Sequence, residues 1–567
     1  MKRHLARLPA LGRVGPSAQN MYMHCASCLL HAATYVLLLV YDRRYTWNAS
    51  KMPLVSACSL CPSLLFQRTS GLLVSGNTTS EEAPPSRLFA TEGWEGEADV
   101  SDWEPFRELG QSMVHFIADY YQAVESRPVR ARVEPGYLKK QLTRREFPLS
   151  GERWSDIMAD VESHVMPGIT HWQHPRFFAW YPAHSSPPAI LGDMLASMFN
   201  VIGFSWEASP ASTELETVVL DQLGKAVGLP DVFLSDGEGG GVIQGSASEG
   251  TLVALLAART RALKHMRRGS PAGVSDSELL AKMTLYTSDQ AHSSVQKAAN
   301  IAGLGSNLRL IPTRVIGEEE EGGGDERCYT LDAADLREAM REDASAGLTP
   351  VFVSANVGST NTCAVDPVRA IGEACRRGGG ESGAEVEDGE SEVFVPWLHV
   401  DAARSASLVD ALSVTPEILR SKEYNNNQVS DFRDWQIPLG RKFRSLKIWL
   451  TMRAFGLDKV RDLIRRHMRL ANDLEALVRK DDRFEIVAPV RFGLVYQCSQ
   501  KSDSCTCLRR LPSRIVASGL AFFSSTKLGG RTCLRVSIGG PATEARHIRE
   551  FWEALGATAD AVAAEGL

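Results

Sequence analysis

Apolar positions change period along this chain. Between residues 96 and 180 they recur at helical spacing, with Phe106, Leu109, Met113, Phe116, Ile117, Tyr120 and Tyr121 on one stripe. That spacing predicts an amphipathic helical segment. From about 181 to 400, helical patterns alternate with short apolar runs at 241–243, 283–286, 350–353 and 397–400. Such alternation predicts an α/β domain on a mainly parallel sheet. A third part follows: a helix over 463–477, strands within 484–496 and over 533–538, and a closing helix over 547–563. The expected organisation is a leader (1–95), a helical segment (96–180), a large domain (181–449) and a small α+β domain (450–567).

Composition narrows the class. The 567 residues carry 62 basic and 68 acidic side chains, a formal charge of −6, with 44% hydrophobic residues. That is an ordinary globular balance, and no basic stripe interleaved with aromatics points to nucleic acid. The leader differs: before Glu81 its only acidic residue is Asp42, against several arginines and lysines. Three readings stay open: a poorly ordered extension, an organelle transit peptide, or a secretory or membrane anchor. The apolar run at 25–41 is short for a membrane span, and membrane contact is expected only if it is retained. Otherwise the protein is expected in the cytoplasm. Cys25, Cys28, Cys58 and Cys61 form two CxxC pairs, but the hydrophobic residues between them argue against a zinc ribbon, so no metal is expected. Core cysteines such as Cys363 and Cys498 show no spacing that demands disulfides. The Glu/Gly-rich stretches 317–326 and 378–392 read as solvated surface loops.

Four motifs carry chemistry. In Gly239-Gly240-Gly241-Val242-Ile243-Gln244-Gly245-Ser246-Ala247-Ser248-Glu249 a strand meets a turn and a helix begins, with capping-box spacing between Ser246 and Glu249. Helix-start N–H groups there would face any phosphate. A dinucleotide fingerprint does not fit, because the glycines precede the strand. His292 follows a strand in Ser288-Asp289-Gln290-Ala291-His292-Ser293-Ser294, and Thr360 follows another in Asn356-Val357-Gly358-Ser359-Thr360. Asp401 stands at the tip of a third, in His399-Val400-Asp401-Ala402-Ala403. Taken singly, these are a capped helix, a structural histidine and a loop carboxylate.

Together they resemble the group II pyridoxal-phosphate (PLP) decarboxylases, the aromatic L-amino acid decarboxylase family. The resemblance covers about residues 100–565. It includes Gly168-Ile169-Thr170-His171-Trp172 and Trp435-Gln436-Ile437-Pro438-Leu439-Gly440-Arg441. It implies a fold-type I PLP-dependent transferase-like large domain, an N-terminal helical segment wrapped around a partner in a homodimer, PLP as cofactor and an amino-acid substrate. It assigns cofactor contacts to Ala247, Ser248, His292, Thr360, Asp401 and Ala403, and catalytic roles to His292 over the ring and Asp401 at the ring nitrogen. The implied reaction is loss of CO2 from an aromatic L-amino acid.

The chain departs from that pattern in three places. After Ala403 the family continues to an Asn-x-His-Lys-Trp motif whose lysine carries the cofactor. Here Arg404-Ser405-Ala406-Ser407-Leu408 follows at once. Roughly forty residues are missing, about two strands with their connections. A skipped exon or gene-model error is the expected explanation of the gap, and a genuine pseudoenzyme, or a dimer partner of an intact paralogue, is the alternative. Lys422 and Lys447 match ordinary family positions and are not expected to substitute. Ile418 replaces a mobile-loop tyrosine that returns a proton to the substrate carbon, which opens an aldehyde-synthase reading. Tyr424 lies in the same loop. Ala183 replaces a threonine that contacts substrate in some members.

Overall fold

A computed structural model describes residues 36–40, 103–142, 146–181, 183–237, 239–316, 328–377, 394–402, 431–499, 505–528 and 531–565. Side chains of 36–40, 314–316, 328, 499 and 505–509 are not part of that description. Ala403, Ile418, Lys422, Tyr424, the leader cysteines and both acidic loops lie outside the described residues.

The chain divides into two compact units. One comprises 42–122 and 133–169. It holds most of α1 (Glu104–Ala123) together with α2 (Tyr137–Gln141) and α3 (Trp154–Asp160). The stripe on α1 is only partly covered: Leu109 is buried, but Phe106 is 53% exposed. Gly168 lets Tyr137 lie against the backbone, since a Cβ there would fall 1.7 Å from the phenol oxygen.

The other unit comprises 1–41, 123–132 and 170–567. Its elements include β1 (Val36–Val40), β2 (Phe177–Phe178), α4 (Pro187–Phe199), α5 (Pro210–Ala226), β3 (Gly239–Ile243), α6 (Ala247–Arg268), α7 (Asp276–Ala281), β4 (Met283–Ser288), α8 (Ser293–Ile301) and β5 (Leu308–Ile311). The hairpin β6 (Arg314–Ile316) and β7 (Cys328–Thr330) precedes α9 (Ala333–Ser345), β8 (Thr349–Asn356), α10 (Val368–Arg377) and β9 (Trp397–Asp401). A four-stranded parallel sheet runs β5-β4-β8-β9. Strand alternation sends Leu285 and Phe352 toward α6 and α8, and Tyr286, Val353 and Leu398 toward α9 and α10. Both faces are thus covered by helices, which is why apolar residues of these strands point to both sides of the sheet.

The glycines 239–241 lie inside β3, not before a strand as the sequence reading placed them. No ladder joins β3 to β9 among the described residues. Phe432 and Trp435 pack with Val242 and Trp397 instead. A side chain on Gly240 would meet the Trp435 ring at 3.2 Å. β3 pairs antiparallel with β1, Val36 opposite Ile243 and Val40 opposite Gly239. The run Val36–Val40, read as part of a candidate membrane span, is therefore a strand. Among the described residues, no helix is long and apolar enough to cross a membrane.

The remainder holds α11 (Ser445–Val478), β10 (Phe484–Ile486), β11 (Leu494–Ser499), α12 (Cys505–Ser518), β12 (Phe522–Leu528), β13 (Arg531–Ser537) and α13 (Ala545–Ala564). Gly456, at φ 70°, interrupts α11. The antiparallel order β10-β11-β13-β12 is extended by β2, parallel to β12. Phe523, Leu534 and Val536 from this sheet pack with Leu474 of α11 and Phe551 and Leu555 of α13. One expectation is corrected here: Cys498 and Cys533 form a disulfide across β11 and β13, with Cα atoms 4.6 Å apart. Sequence spacing gave no sign of it, because the pairing depends on strand register across 35 residues.

Candidate active site

Parallel strands end at one edge of a sheet, so residues just past β4 and β8 and at the end of β9 are brought to that edge by topology. His292, Thr360 and Asp401 hold those positions on three adjacent strands. Asp401 stands opposite Asn356 in the β8–β9 register. Crevices at the carboxyl ends of parallel strands are where open α/β sheets bind ligands.

His292 is the N-cap of α8, and its Nδ1 accepts the Ser294 N–H at 3.1 Å. An accepting Nδ1 carries no proton, so the neutral ring presents Nε2–H. Thr360 is half-buried in a turn held by its own polar groups. The Ser359 and Thr362 hydroxyls lie 2.7 Å apart, and the Ala364 N–H donates to Ser359 Oγ at 3.2 Å. Behind this turn is a residue the sequence reading missed. Asp366 accepts the N–H groups of Leu331 at 2.8 Å and Asn356 at 2.6 Å, and the Asn356 amide at 3.1 Å. Burial pushes its carboxyl above the usual range, against the pull of those donors. The same Asn356 amide reaches Ser288 Oγ at 3.1 Å, tying the end of β8 to the end of β4.

His399 was also missed. It sits two residues before Asp401 on the same strand face, is 2% exposed and stacks on Phe352 at 5.7 Å. Burial, only partly offset by the Asp401 charge, lowers its pKa to about 4. Neither ring nitrogen has a hydrogen-bond partner among the described residues. A neutral ring therefore lies beneath the carboxylate. Its place inside the histidine-valine-aspartate motif was the available signal.

Ala247 and Ser248 open the 22-residue α6. Their N–H groups belong to the first turn, where no helical carbonyl can accept them. Ser246 caps the helix by accepting the Glu249 N–H at 3.1 Å. The expected capping box is shifted by one residue: the Glu249 carboxylate accepts from the Gly245 N–H at 2.9 Å. Arg444, half-buried, brings a cation to the same turn, with Nη2 4.0 Å from where a Gly245 Cβ would stand. Sequence spacing could not place it there.

This donor set suits an anionic ligand with a basic ring nitrogen. N–H groups and a guanidinium would meet the anion, and a carboxylate would meet the ring. A covalent tether is another matter. Lys447 is engaged with Asp193 at 2.7 Å, Lys422 lies outside the described residues, and the Asn-x-His-Lys-Trp motif is absent from the sequence. Ala183 is exposed, and its carbonyl accepts from Gln173 at 2.6 Å. No cluster of metal-ligating side chains occurs among the described residues.

Comparison with known proteins identifies the scaffold. The family model "Pyridoxal-dependent decarboxylase conserved domain" matches in two segments, 135–409 and 404–498, which meet where the sequence departs from pattern. Phenylacetaldehyde synthase of Arabidopsis thaliana is 40% identical over 490 aligned positions, covering 80% of this chain and 96% of that protein. As 80% of 567 residues is about 454, the alignment includes about 36 positions (490 less 454) with no residue here. The aromatic-L-amino-acid decarboxylase of Rattus norvegicus is 40% identical over 482 positions, covering 80% of this chain and 97% of its own. The crystal structure of Oryza sativa TDC with PLP and tryptamine superposes with a TM-score of 0.73 at 35% identity, covering 82% of this chain and 99% of that one. With its parallel sheet, its strand-end constellation and these matches, the chain belongs to the pyridoxal-dependent decarboxylase family.

Proposed function

We propose that the start of α6 and the carboxyl edge of β4, β8 and β9 hold pyridoxal 5'-phosphate, in a site built to remove CO2 from an aromatic L-amino acid. The observation that carries this reading is that His292 follows β4, Thr360 follows β8 and Asp401 ends β9, at the carboxyl ends of three adjacent parallel strands. When bound, the cofactor supplies an electron sink for the pair left by the departing carboxylate. Ala247 and Ser248 bind the phosphate through their N–H groups, with Arg444 adding positive charge. Asp401 keeps the ring nitrogen protonated, and the neutral His399 beneath it offers no competing cation. His292 covers the ring and moves a proton through Nε2. Among the described residues no lysine joins this set, so cofactor is held without a covalent link and substrate is not turned over. A second copy of the chain is the partner we assign to the stripe on α1. We place the protein in the cytoplasm, which a C-terminal fluorescent fusion checks.

Titration of the purified full chain with PLP tests the reading. Saturable binding, removable by dialysis, with no lysine-linked absorbance and no amine from aromatic amino acids, is expected. Inserting the lysine segment of an intact relative between Ala403 and Arg404 should then produce amine. Absence of PLP binding would overturn the cofactor site. A lysine-linked band in the unaltered chain, lost on replacing one lysine, would overturn the reading of the gap. Transcript sequencing across the Ala403 and Arg404 codons decides whether the gap belongs to the gene product. A second reading rests on Ile418 and on the aldehyde synthase among the relatives. Hydrogen peroxide formed in step with product by the lysine-restored chain would favour it.

A further inference from the structure

Arg535, on β13, is 5% exposed, yet no carboxylate pairs with it among the described residues. Its guanidinium serves backbone carbonyls instead. Nη1 donates to the Trp180 carbonyl at 2.7 Å, and Nη2 donates to the Thr360 carbonyl at 3.2 Å. The same group lies 4.7 Å above the Tyr181 ring. The Tyr181 hydroxyl and the Cys363 thiol, 2.9 Å apart, form a second tie between the two loops. Both loops carry strain there: Trp180 has φ 47° and Cys363 φ 51°, unusual for residues other than glycine. Such conformations persist only where the surroundings enforce them. From β12, Thr526 reaches Asn361 at 3.4 Å, and Asn361 reaches Gln290 at 3.5 Å, two residues before His292.

We infer that Arg535 is a positioning residue for the ring end of the cofactor site. It clamps the 180–181 and 360–363 loops in one geometry, so that the β12–β13 edge sets where Thr360 stands. Burying a cation without an anionic partner is costly. A planar fork that reaches two carbonyls at once is what arginine does and lysine does not. The inference rests on the proposed PLP site but concerns how that site is held, and the phosphate cradle on α6 is not part of the clamp.

The test uses the full chain and two ligands, PLP and inorganic phosphate, each titrated by intrinsic tryptophan fluorescence. Arg535→Lys should weaken PLP by about tenfold, equivalent to about 1.4 kcal/mol, while leaving phosphate affinity within about twofold. Tyr181→Phe keeps the ring and removes only the hydroxyl, so it carries the test if Arg535→Lys fails to fold. It should weaken PLP by about threefold, again sparing phosphate. PLP and phosphate weakening together would mean general destabilisation and would overturn the inference. So would PLP binding unchanged in both variants. Failure of the unaltered chain to bind PLP would sink the cofactor site, and this inference with it.

Discussion

Arg441 and Glu216 form a buried ion pair that fastens the carboxyl end of β3. Glu216 Oε1, which takes the Arg441 Nη2, also accepts the Ile243 N–H at 2.8 Å. Arg441 continues to Gln436 Oε1 at 2.7 Å, and its guanidinium covers the Phe432 ring at 4.6 Å. The stretch 432–441 is thereby locked against a strand that, among the described residues, has no partner from the parallel sheet. Losing one member of such a pair leaves a buried charge. Glu216→Gln should cost about 3–5 kcal/mol of unfolding free energy. Urea unfolding measures it, and a loss below about 1 kcal/mol would show that the pair does not hold β3.

Asp366 makes a similar case with backbone donors. Three N–H groups converge on one carboxylate behind the Thr360 turn. Asp366→Ala strands all of them in the core, at about 1–3 kcal/mol for each group left unsatisfied. The variant should melt lower and bind PLP more weakly, since Asn356 also anchors Ser288. Normal PLP affinity in a folded Asp366→Ala protein would sever the proposed link between this network and the site.

The Cys498–Cys533 bond closes a loop of 35 residues. Chain-entropy arguments give such a loop roughly 3–4 kcal/mol. Non-reducing peptide mapping should recover Cys498 and Cys533 in one linked species, and reductant should lower the melting midpoint. Complete alkylation of both thiols in the unreduced native protein would rule the bond out.

Long-period features were the legible ones. The strands β4, β8 and β9 each contain a short apolar run because both sheet faces are covered, and those runs located them. The strand-end motifs likewise placed His292, Thr360 and Asp401 at one edge, since parallel connection leaves no other arrangement. What stayed hidden depends on contacts between distant segments. Arg444 beside Gly245, Arg535 on the Thr360 carbonyl and the partner of Cys498 lie 175 to 199 positions or 35 positions away in sequence, and no local pattern encodes them. β1 was not legible for another reason: it lies within the 25–41 run, whose sequence left several readings open, and its pairing with the edge of β3 is a contact across about 200 residues.

Three of the buried histidines make stability fall in acid. Burial lowers the pKa of His174, His399 and His467 from 6.5 to about 4. Unfolded, each takes up a proton near pH 6.5; folded, each stays neutral down to about pH 4. Within that window the unfolded chain binds more protons, so stability is greatest above it and falls with acid. Each histidine contributes roughly 1.4 kcal/mol per pH unit. Asp366 and Asp431, raised by burial, act in the opposite sense. To isolate one contribution, His399→Phe replaces an ionisable ring stacked on Phe352 with one that cannot take a proton. Urea midpoints between about pH 4.5 and 7 should then change less steeply than in the unaltered chain, by roughly one histidine's share. An identical slope in the two proteins would show that His399 is not held neutral beneath Asp401, and would remove it from the proposed site.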